Sequence, residues 1–201
     1  MNFIKMLKAL PIDVGQGNQR FTTKGKLLAL ELVPTDGKNK KLLDIGCREG
    51  EQSKYFKSLG YTVTSIDVDQ VFDEAQVVDC NQPLPFSDEE FDVIWSSEVI
   101  EHLIDPISSL KEARRVLKPN GKLVYTTPNS FPFYFCLLAM IGLTPQRIQR
   151  KDHLHFFDLS TIKRLFPQGK LYGFLPFSYF RPKIKRGIGL LSPTFIIEEV
   201  K

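Results

Sequence analysis

The sequence predicts an α/β fold in which helices cover both faces of a doubly wound parallel sheet. Apolar, β-branched runs alternate with amphipathic segments over roughly residues 41–127, and this alternation is typical of a parallel sheet between helices. The run KLLDI passes directly into a glycine-bearing turn, GCREG, and then into a helical pattern. This strand, turn and helix form the arrangement from which α/β proteins build nucleotide sites.

Length and composition are those of an ordinary globular domain. The chain has 201 residues, of which 42% are hydrophobic and 25% charged, with a net charge of +4, so a nucleic-acid partner is not implied by charge alone. We expect a single domain over residues 1–201, with an N-terminal helical segment (1–38), a core (40–127) and a variable C-terminal part (128–201). The three widely spaced cysteines suggest a reducing compartment.

The glycine turn is the predicted centre of the fold. After it, residues 51–59 (EQSKYFKSL) place Tyr55, Phe56 and Leu59 on one helical stripe. Glycines let a backbone approach a ligand closely, and the free amides of a helix N-terminus point at it. The segment therefore predicts a nucleotide-type site.

A second strand, residues 61–66 (YTVTSI), is closed by Asp67, 21 residues after Gly46. An acid at this spacing is placed to accept ribose hydroxyls, although a solvated loop aspartate gives the same pattern. The next crossover is short, since residues 71–75 supply barely one helical turn. We expect either a degenerate crossover or an irregular loop, followed by a third strand at residues 76–79.

The remaining elements follow from periodicity and turn residues. The pattern predicts an N-terminal helix at 19–33 with Leu27, Leu28, Leu30 and Leu32 available for one side, a fourth strand at 91–95, a helix at 107–117 with Ile107, Leu110, Arg114 and Leu117 on one side, a fifth strand at 122–126 and a last strand at 194–200. Residues 171–177 are predicted to form an interrupted strand or loop, because Pro176 disfavours a sheet interior.

Four ordered motifs, LLDIGCREG, TSIDVD, VVDCNQPLPFSDEEFDVIWSSEVIEHL and LKPNGKLVYTTPN, resemble those of the class I S-adenosylmethionine-dependent methyltransferases, especially the small-molecule branch. The resemblance covers about residues 40–165. It implies a Rossmann-like, mostly parallel sheet whose last strand runs antiparallel between its neighbours. It also implies S-adenosylmethionine as cofactor.

The resemblance assigns roles position by position. The methionine end of the cofactor would lie at Asp44, Gly46 and the backbone of Cys47; the ribose at Asp67; the adenine edge at Asp79 and the Cys80 amide; and the methyl group beside Ser96, just beyond the fourth strand. Gly50 is a further candidate cofactor-binding position. Two features depart from the family: Arg48 replaces its middle glycine, and the short crossover truncates the adenine wall. A dinucleotide motif would need glycines at 46, 48 and 51, and the chain has Arg48 and Glu51.

Candidates for chemistry cluster at Glu98, Glu101 and His102. If they form the first turn of a helix, their i, i+3 and i+4 spacing places them on one face. Three interpretations stay open: acids that complement a helix N-terminus, with His102 as a cap or packing residue; His102 as a general base; or a divalent-cation site.

The cation interpretation comes from a second resemblance. E-x-x-E-H is similar to the metal motif of small-RNA 3′-terminal 2′-O-methyltransferases and of some ubiquinone-pathway O-methyltransferases. A further ligand would be His153, with Asp158 capping the following helix. Such a set of Glu98, Glu101, His102 and His153 would suit magnesium, manganese or zinc.

Two segments after the fifth strand are candidates for contact with the acceptor. Residues 131–143 (FPFYFCLLAMIGL) are apolar but too short to cross a bilayer, which needs about 20 residues; they form a substrate lid, a membrane-resting segment or a core helix. The basic run 181–186 is a phosphate-contacting segment or a solvated loop.

We therefore expect a cytoplasmic methyltransferase for a small-molecule, lipid- or sugar-linked acceptor, with O-methylation favoured over N- or C-methylation. The alternatives are a metal-assisted RNA 2′-O-methyltransferase and a cofactor-binding module without catalysis. The sequence does not fix the oligomeric state.

Overall fold

The computed structural model describes residues 23–149, 152–176 and 182–201. Its strands are β1 (Lys41–Ile45), β2 (Thr62–Asp67), β3 (Gln76–Val77), β4 (Phe91–Ser97), β5 (Leu117–Pro128), β6 (Lys170–Phe174), β7 (Lys183–Ile184) and β8 (Thr194–Val200). Its helices are α1 (Lys24–Leu30), α2 (Glu51–Ser58), α3 (Pro106–Val116), α4 (Phe133–Met140), α5 (Pro145–Ile148), α6 (Leu159–Leu165) and α7 (Ile188–Leu191), with a 3₁₀ turn at Ile100–His102.

Across the described residues the strands form one eight-stranded sheet in the order β3-β2-β1-β4-β5-β8-β6-β7. Strands β1 to β5 pair in parallel. Strand β8 runs antiparallel to β5 and to β6, and so lies between them. The predicted Rossmann-like fold class, including its antiparallel last strand, is confirmed.

The sheet separates two apolar clusters because alternate residues of a strand point to opposite faces. Leu43 and Ile94 belong to one cluster, and their neighbours Leu42 and Val93 belong to the other. Phe56 of α2 is fully buried in the second cluster, whereas Tyr55 is exposed. The predicted stripe of α2 is thus confirmed at Phe56 and wrong at Tyr55.

The helix ends follow from capping chemistry. The Asp105 carboxylate accepts from the amides of Ile107 and Ser108, and Pro106 is the first helical residue, a favourable start because proline has no amide to satisfy. This start leaves Ile107 exposed, contrary to its predicted place on the apolar side. Asp158 caps α6 through the Thr161 amide, as predicted.

Several predicted boundaries move. Helix α1 ends at Leu30 rather than at residue 33 and exposes Leu27, while residues 19–22 lie outside the described part of the chain. The short crossover contains no helix, so the irregular-loop alternative is confirmed. Strand β4 continues to Ser97, so Ser96 lies within the strand and not beyond it. Pro176 follows β6 and does not interrupt it.

Within the described ranges, none of the helices has the length and apolar character needed to cross a bilayer.

Candidate functional site

The predicted site residues lie along the carboxyl edge of the parallel strands β1, β2 and β4. Asp44 is the second-to-last residue of β1, Asp67 ends β2, and Ser96 lies near the end of β4. Ligands of open α/β sheets bind at this edge, where the strand order changes direction. The change occurs here between β1 and β4.

The glycine turn is hydrogen-bonded to the end of β2. The amides of Gly46 and Cys47 donate to the Ile66 carbonyl at 2.8 and 3.1 Å. The next amide, that of Arg48, donates to Asp67 Oδ2 at 2.9 Å. Arg48 has a φ of 48°, in the left-handed region where the family's glycine would be relaxed. The turn therefore keeps the expected shape despite the arginine.

Both flanking glycines are required by close packing within the protein. Gly46 and Gly50 each have a φ of 75°. A Cβ at Gly46 would overlap Val99 Cγ2, and a Cβ at Gly50 would lie 2.6 Å from the Phe72 ring. Val99 and Phe72 therefore leave no room for a side chain at Gly46 and Gly50, respectively.

Asp44 is a buried carboxylate held by hydroxyl groups. Ser53 of α2 donates to Asp44 Oδ2 at 2.5 Å, and Ser65 of β2 donates to Ser53 at 2.8 Å. Burial raises the pKa of Asp44 to about 6, against the opposing effects of the Ser53 hydrogen bond and the Lys26 cation. A cation brought to Asp44 would therefore favour its ionised form.

Two thiols show that the predicted cofactor residues share one neighbourhood. Burial, followed by the carboxylates of Asp44 and Asp67, raises the pKa of Cys47 to about 12. Burial, followed by Asp79 and Asp67, raises the pKa of Cys80 to about 12. Asp67 acts on both thiols, and the strand that it ends, β2, lies between β1 and β3 in the sheet. Asp79 is exposed and accepts from the amide and side chain of Asn81.

The segment after β4 differs from its prediction. No α-helix begins at Glu98 in the described structure; Glu98 has a φ of 58°, and only the 3₁₀ turn Ile100–His102 follows. The helix starts instead at Pro106, where a capping aspartate is available. The prediction that Glu98, Glu101 and His102 share one helical face is wrong.

Glu98 and Glu101 instead contact successive threonines of β5. Thr126 Oγ1 donates to Glu98 Oε1 and Thr127 Oγ1 donates to Glu101 Oε2, both at 2.9 Å. The Thr126 hydroxyl has only one proton, which it donates to Glu98. In the 2.8 Å contact between Ser97 Oγ and Thr126 Oγ1, Ser97 is therefore the donor and Thr126 the acceptor. Adjacent strand residues point to opposite faces, so the two glutamates are separated.

Glu101 is grouped with the two predicted histidines. The ligand atoms of Glu101, His102 and His153 lie within 4.8 Å of one another, and Glu98 is outside this group. The backbone carbonyl of Glu101 accepts from the amides of Leu154 and His155 at 2.9 and 3.0 Å, which fixes the downstream segment beside it. The rings of His102 and His153 meet edge to face, with centroids 4.8 Å apart.

The tautomer of His102 follows from its partner. His102 Nδ1 lies 2.9 Å from the Asp152 carbonyl oxygen, which can only accept, so Nδ1 carries the proton. In the neutral ring the lone pair is then on Nε2, which lies 4.0 Å from Glu101 Oε1. This arrangement suits either a general base or a metal ligand at Nε2.

The ligand atoms of Glu101, His102 and His153 are spaced slightly too far apart to coordinate one ion as they stand. Two atoms each about 2.1 Å from one metal lie at most about 4.2 Å apart, and the widest spacing here is up to 4.8 Å. A small side-chain movement would be needed to close it. The donor set of one carboxylate and two imidazoles is chemically suited to zinc or manganese.

Sequence reasoning missed Lys26 of α1. Burial lowers the pKa of Lys26, while the carboxylates of Glu98, Asp44 and Glu101 oppose that shift. Its ammonium group therefore lies among the site's acids, although it is distant from them in sequence. Ser53, Thr126 and Thr127 were missed as well. The TTPN that ends the fourth motif was a signal for the two threonines only.

Comparison with known proteins places this geometry in context. A family model described as a methyltransferase domain matches residues 18–174. The chain is 34% identical over 102 residues to a malonyl-[acyl-carrier protein] O-methyltransferase of Erwinia billingiae, covering 46% of this chain and 41% of that protein. It is 32% identical over 120 residues to a ubiquinone biosynthesis O-methyltransferase of Pseudomonas entomophila, covering 51% and 50%. The matches thus span about half the length of these curated relatives or less.

Solved structures resemble the chain over most of its length. One S-adenosylmethionine-dependent methyltransferase, from Thermotoga maritima, has a TM-score of 0.68 at 21% identity and covers 91% of each chain. Another, from Archaeoglobus fulgidus, has a TM-score of 0.64 at 20% identity and covers 91% of this chain and 97% of its own. These likenesses establish the fold.

Proposed function

Because this chain belongs to the methyltransferase domain family, of the class I S-adenosylmethionine-dependent type, we propose that it methylates an oxygen atom of a small-molecule, lipid-linked or sugar-linked acceptor. The names of the curated relatives, both O-methyltransferases, support oxygen as the acceptor atom. They also fit an acceptor attached to a larger carrier or a lipophilic chain.

The observation that carries this proposal is the hydrogen bond from the Arg48 amide to Asp67 at 2.9 Å. It holds the glycine turn and the Asp67 carboxylate as one unit, with Asp44 beside it. In our proposal Asp44 faces the cationic amino group at the methionine end, and Asp67 accepts from ribose hydroxyls. When bound, S-adenosylmethionine supplies a methyl group already activated on a sulfonium.

The acceptor end is assigned to His102. Transfer to a hydroxyl requires that the acceptor be held in line and that its proton be removed. The Asp152 carbonyl fixes the Nδ1 proton of His102, so Nε2 is directed as the base. Glu101, almost fully buried, would stabilise the imidazolium that forms when Nε2 takes the proton.

Calorimetry with S-adenosylhomocysteine tests the cofactor half. Asp67→Asn removes the charge that accepts ribose hydroxyls, and we expect about tenfold or greater loss of affinity. Asp73→Asn, the same change at an exposed residue of the neighbouring loop, should bind like wild type. Equal affinity of all three proteins would contradict the assignment of Asp67.

Transfer of tritiated methyl groups to metabolite, lipid and RNA pools tests the reaction. His102→Gln should retain cofactor affinity and lose about 10²-fold or more in rate, the usual contribution of a positioned base. If wild type binds the cofactor but labels none of the pools, the chain is a binding module. Labelling of RNA alone would favour the nucleic-acid alternative.

The grouping of Glu101, His102 and His153 supports metal assistance as a second candidate. Zinc or manganese at these side chains would polarise the acceptor oxygen and lower its pKa. We expect the metal-assisted enzyme to lose activity with a chelator and to regain it with one added metal. His153→Ala should then reduce metal binding measured by calorimetry. Full activity in chelator would exclude this candidate.

A further inference from the structure

We propose that residues 131–147, centred on α4, form a docking face for anionic lipid bilayers. We call this segment the α4 face. The inference concerns where the protein resides and is independent of the methyl-transfer reaction.

The apolar side chains of the α4 face form one outward stripe. Phe133, Leu137, Met140 and Ile141 are all exposed. The spacing of four and three places the first three on one side of the helix, and Ile141 follows directly after its last residue. Phe135 is buried and anchors the opposite side to the body of the protein. The helix is therefore packed with its apolar stripe turned to solvent.

This orientation reverses the usual pattern of a surface helix, in which the outer face is polar. Residues 131–143 contain no charged residue, and the exposed ring of Phe131 extends the stripe at its N-terminal end. Contiguous exposed apolar surface of this kind marks an interaction site.

Charge identifies the occupant. Residues 129–149 carry one cation, Arg147, and no acidic residue. The exposed Arg147 donates from Nη1 to the Gly142 carbonyl at 3.0 Å, so a cation is held beside the C-terminal end of the stripe. An apolar stripe with a cation at one end matches the acyl boundary and anionic headgroups of a bilayer.

Two other occupants fit less well. A second copy of this chain, docked through the same segment, would offer Arg147 no acidic partner, because residues 131–147 contain none. A small acceptor enclosed in a cleft is a poor match for side chains as open to solvent as Met140, which is 82% exposed. The eight residues of α4 span about 12 Å, which suits a helix lying in the headgroup region.

Sedimentation with vesicles tests the proposal on the full chain. We expect wild type to bind phosphatidylglycerol-containing vesicles at least about tenfold more tightly than pure phosphatidylcholine vesicles, and to lose much of that preference at high salt. Ile141→Glu should weaken binding about tenfold. The matched control is Ile107→Glu, because Ile107 on α3 is 70% exposed and Ile141 is 68% exposed.

A neutral variant protects the test against misfolding. Met140→Gln changes a residue that is 82% exposed and should also weaken vesicle binding while leaving the thermal unfolding curve unchanged. Binding that is equal in wild type, Ile141→Glu and Met140→Gln would overturn the proposal, as would equal weakening by Ile107→Glu. Absence of vesicle binding, with a dimer that Ile141→Glu dissociates in solution, would overturn it in favour of self-association.

Discussion

At the scale of single residues, Arg48 shows how the site keeps its shape with an unfavourable side chain. Its φ of 48° is one that a non-glycine residue adopts at a cost of about 1–2 kcal/mol. The amide of the same residue donates to Asp67 at 2.9 Å. The strained residue thus lies where the turn meets Asp67, the carboxylate that we propose binds ribose.

Replacing Arg48 by glycine should relieve that strain. We expect Arg48→Gly to raise the free energy of unfolding by up to about 1 kcal/mol, after the greater chain entropy of glycine is deducted. Chemical denaturation measures the change. Arg48→Ala is the control, since it removes the same charge but keeps the strained Cβ. Equal stabilisation by both variants would assign the effect to charge.

Asp44 makes a prediction about pH. Its pKa of about 6 means that the ionised fraction rises as pH rises through 6, and only the ionised form attracts the cationic amino group proposed to lie there. We expect cofactor affinity to fall as pH is lowered from 7.5 to 5, approaching tenfold per pH unit below 6. Calorimetry across this range measures the trend.

Asp44→Asn provides the control for this pH dependence. The variant should bind weakly and with little change between pH 5 and 7.5, because its amide does not titrate. A wild-type affinity that stays constant across the range would exclude an ionised Asp44 as the partner of the cofactor.

At the scale of elements, an ion pair ties α3 to β8. Arg114 Nε donates to Glu199 Oε1 at 2.6 Å and its Nη2 donates to Oε2 at 3.0 Å. The same Nη2 donates to the Leu165 carbonyl of α6 at 2.8 Å. One guanidinium therefore joins three elements on one side of the sheet.

Arg114→Lys should destabilise the protein by about 1–2 kcal/mol, because an ammonium cannot form the two parallel bonds to Glu199. Urea denaturation measures the change. Arg164→Lys is the matched control, since the hydrogen bond described for exposed Arg164 is a long one of 3.3 Å to Thr161 and its charge effect on Asp158 is kept by lysine. Similar losses for both variants would show that the paired geometry contributes little.

Elements were predictable where local signals agreed. Strand β1, the glycine turn and α2 combine apolar periodicity with turn residues, and the predicted bounds hold to within one residue. The residues 98–102 were mispredicted because their acids fit a helix N-terminus equally well. Glu98 instead has a positive φ and accepts a hydrogen bond from Thr126 of β5, a long-range contact that no local sequence pattern contains.

At the scale of the whole molecule, one sheet supports both apolar clusters. Phe56 and Trp95 lie on one side of it, with ring centroids 5.4 Å apart, whereas Phe166 lies on the other side against Tyr125. Because the same strands contribute to both clusters, neither cluster can be lost without exposing the other.

We therefore expect a single unfolding transition. Phe56→Ala and Phe166→Ala should each lower the free energy of unfolding by about 3–5 kcal/mol. In both variants the unfolding curve followed by the fluorescence of Trp95, the only tryptophan in the sequence, should coincide with the curve followed by far-ultraviolet circular dichroism. Wild type provides the reference for coincident curves. Two separated transitions in Phe166→Ala would show that the two sides unfold independently.

The overall topology required more than periodicity. The alternating pattern predicted the parallel half, but the position of β8 between β5 and β6 came from the family resemblance. The placement of Lys26 among the acids of the site could not be predicted, because it depends on how α1 packs across the sheet. Contacts between segments distant in sequence account for most of what was missed.

The cysteines have a practical consequence. Cys47 and Cys80 are buried, whereas Cys136 is exposed on α4, so a maleimide dye should attach selectively to the native chain at one position. A polarity-sensitive fluorophore placed there would change colour as it left water. The wild-type sequence thus already contains a single labelling site for a fluorophore that would report contact with lipid.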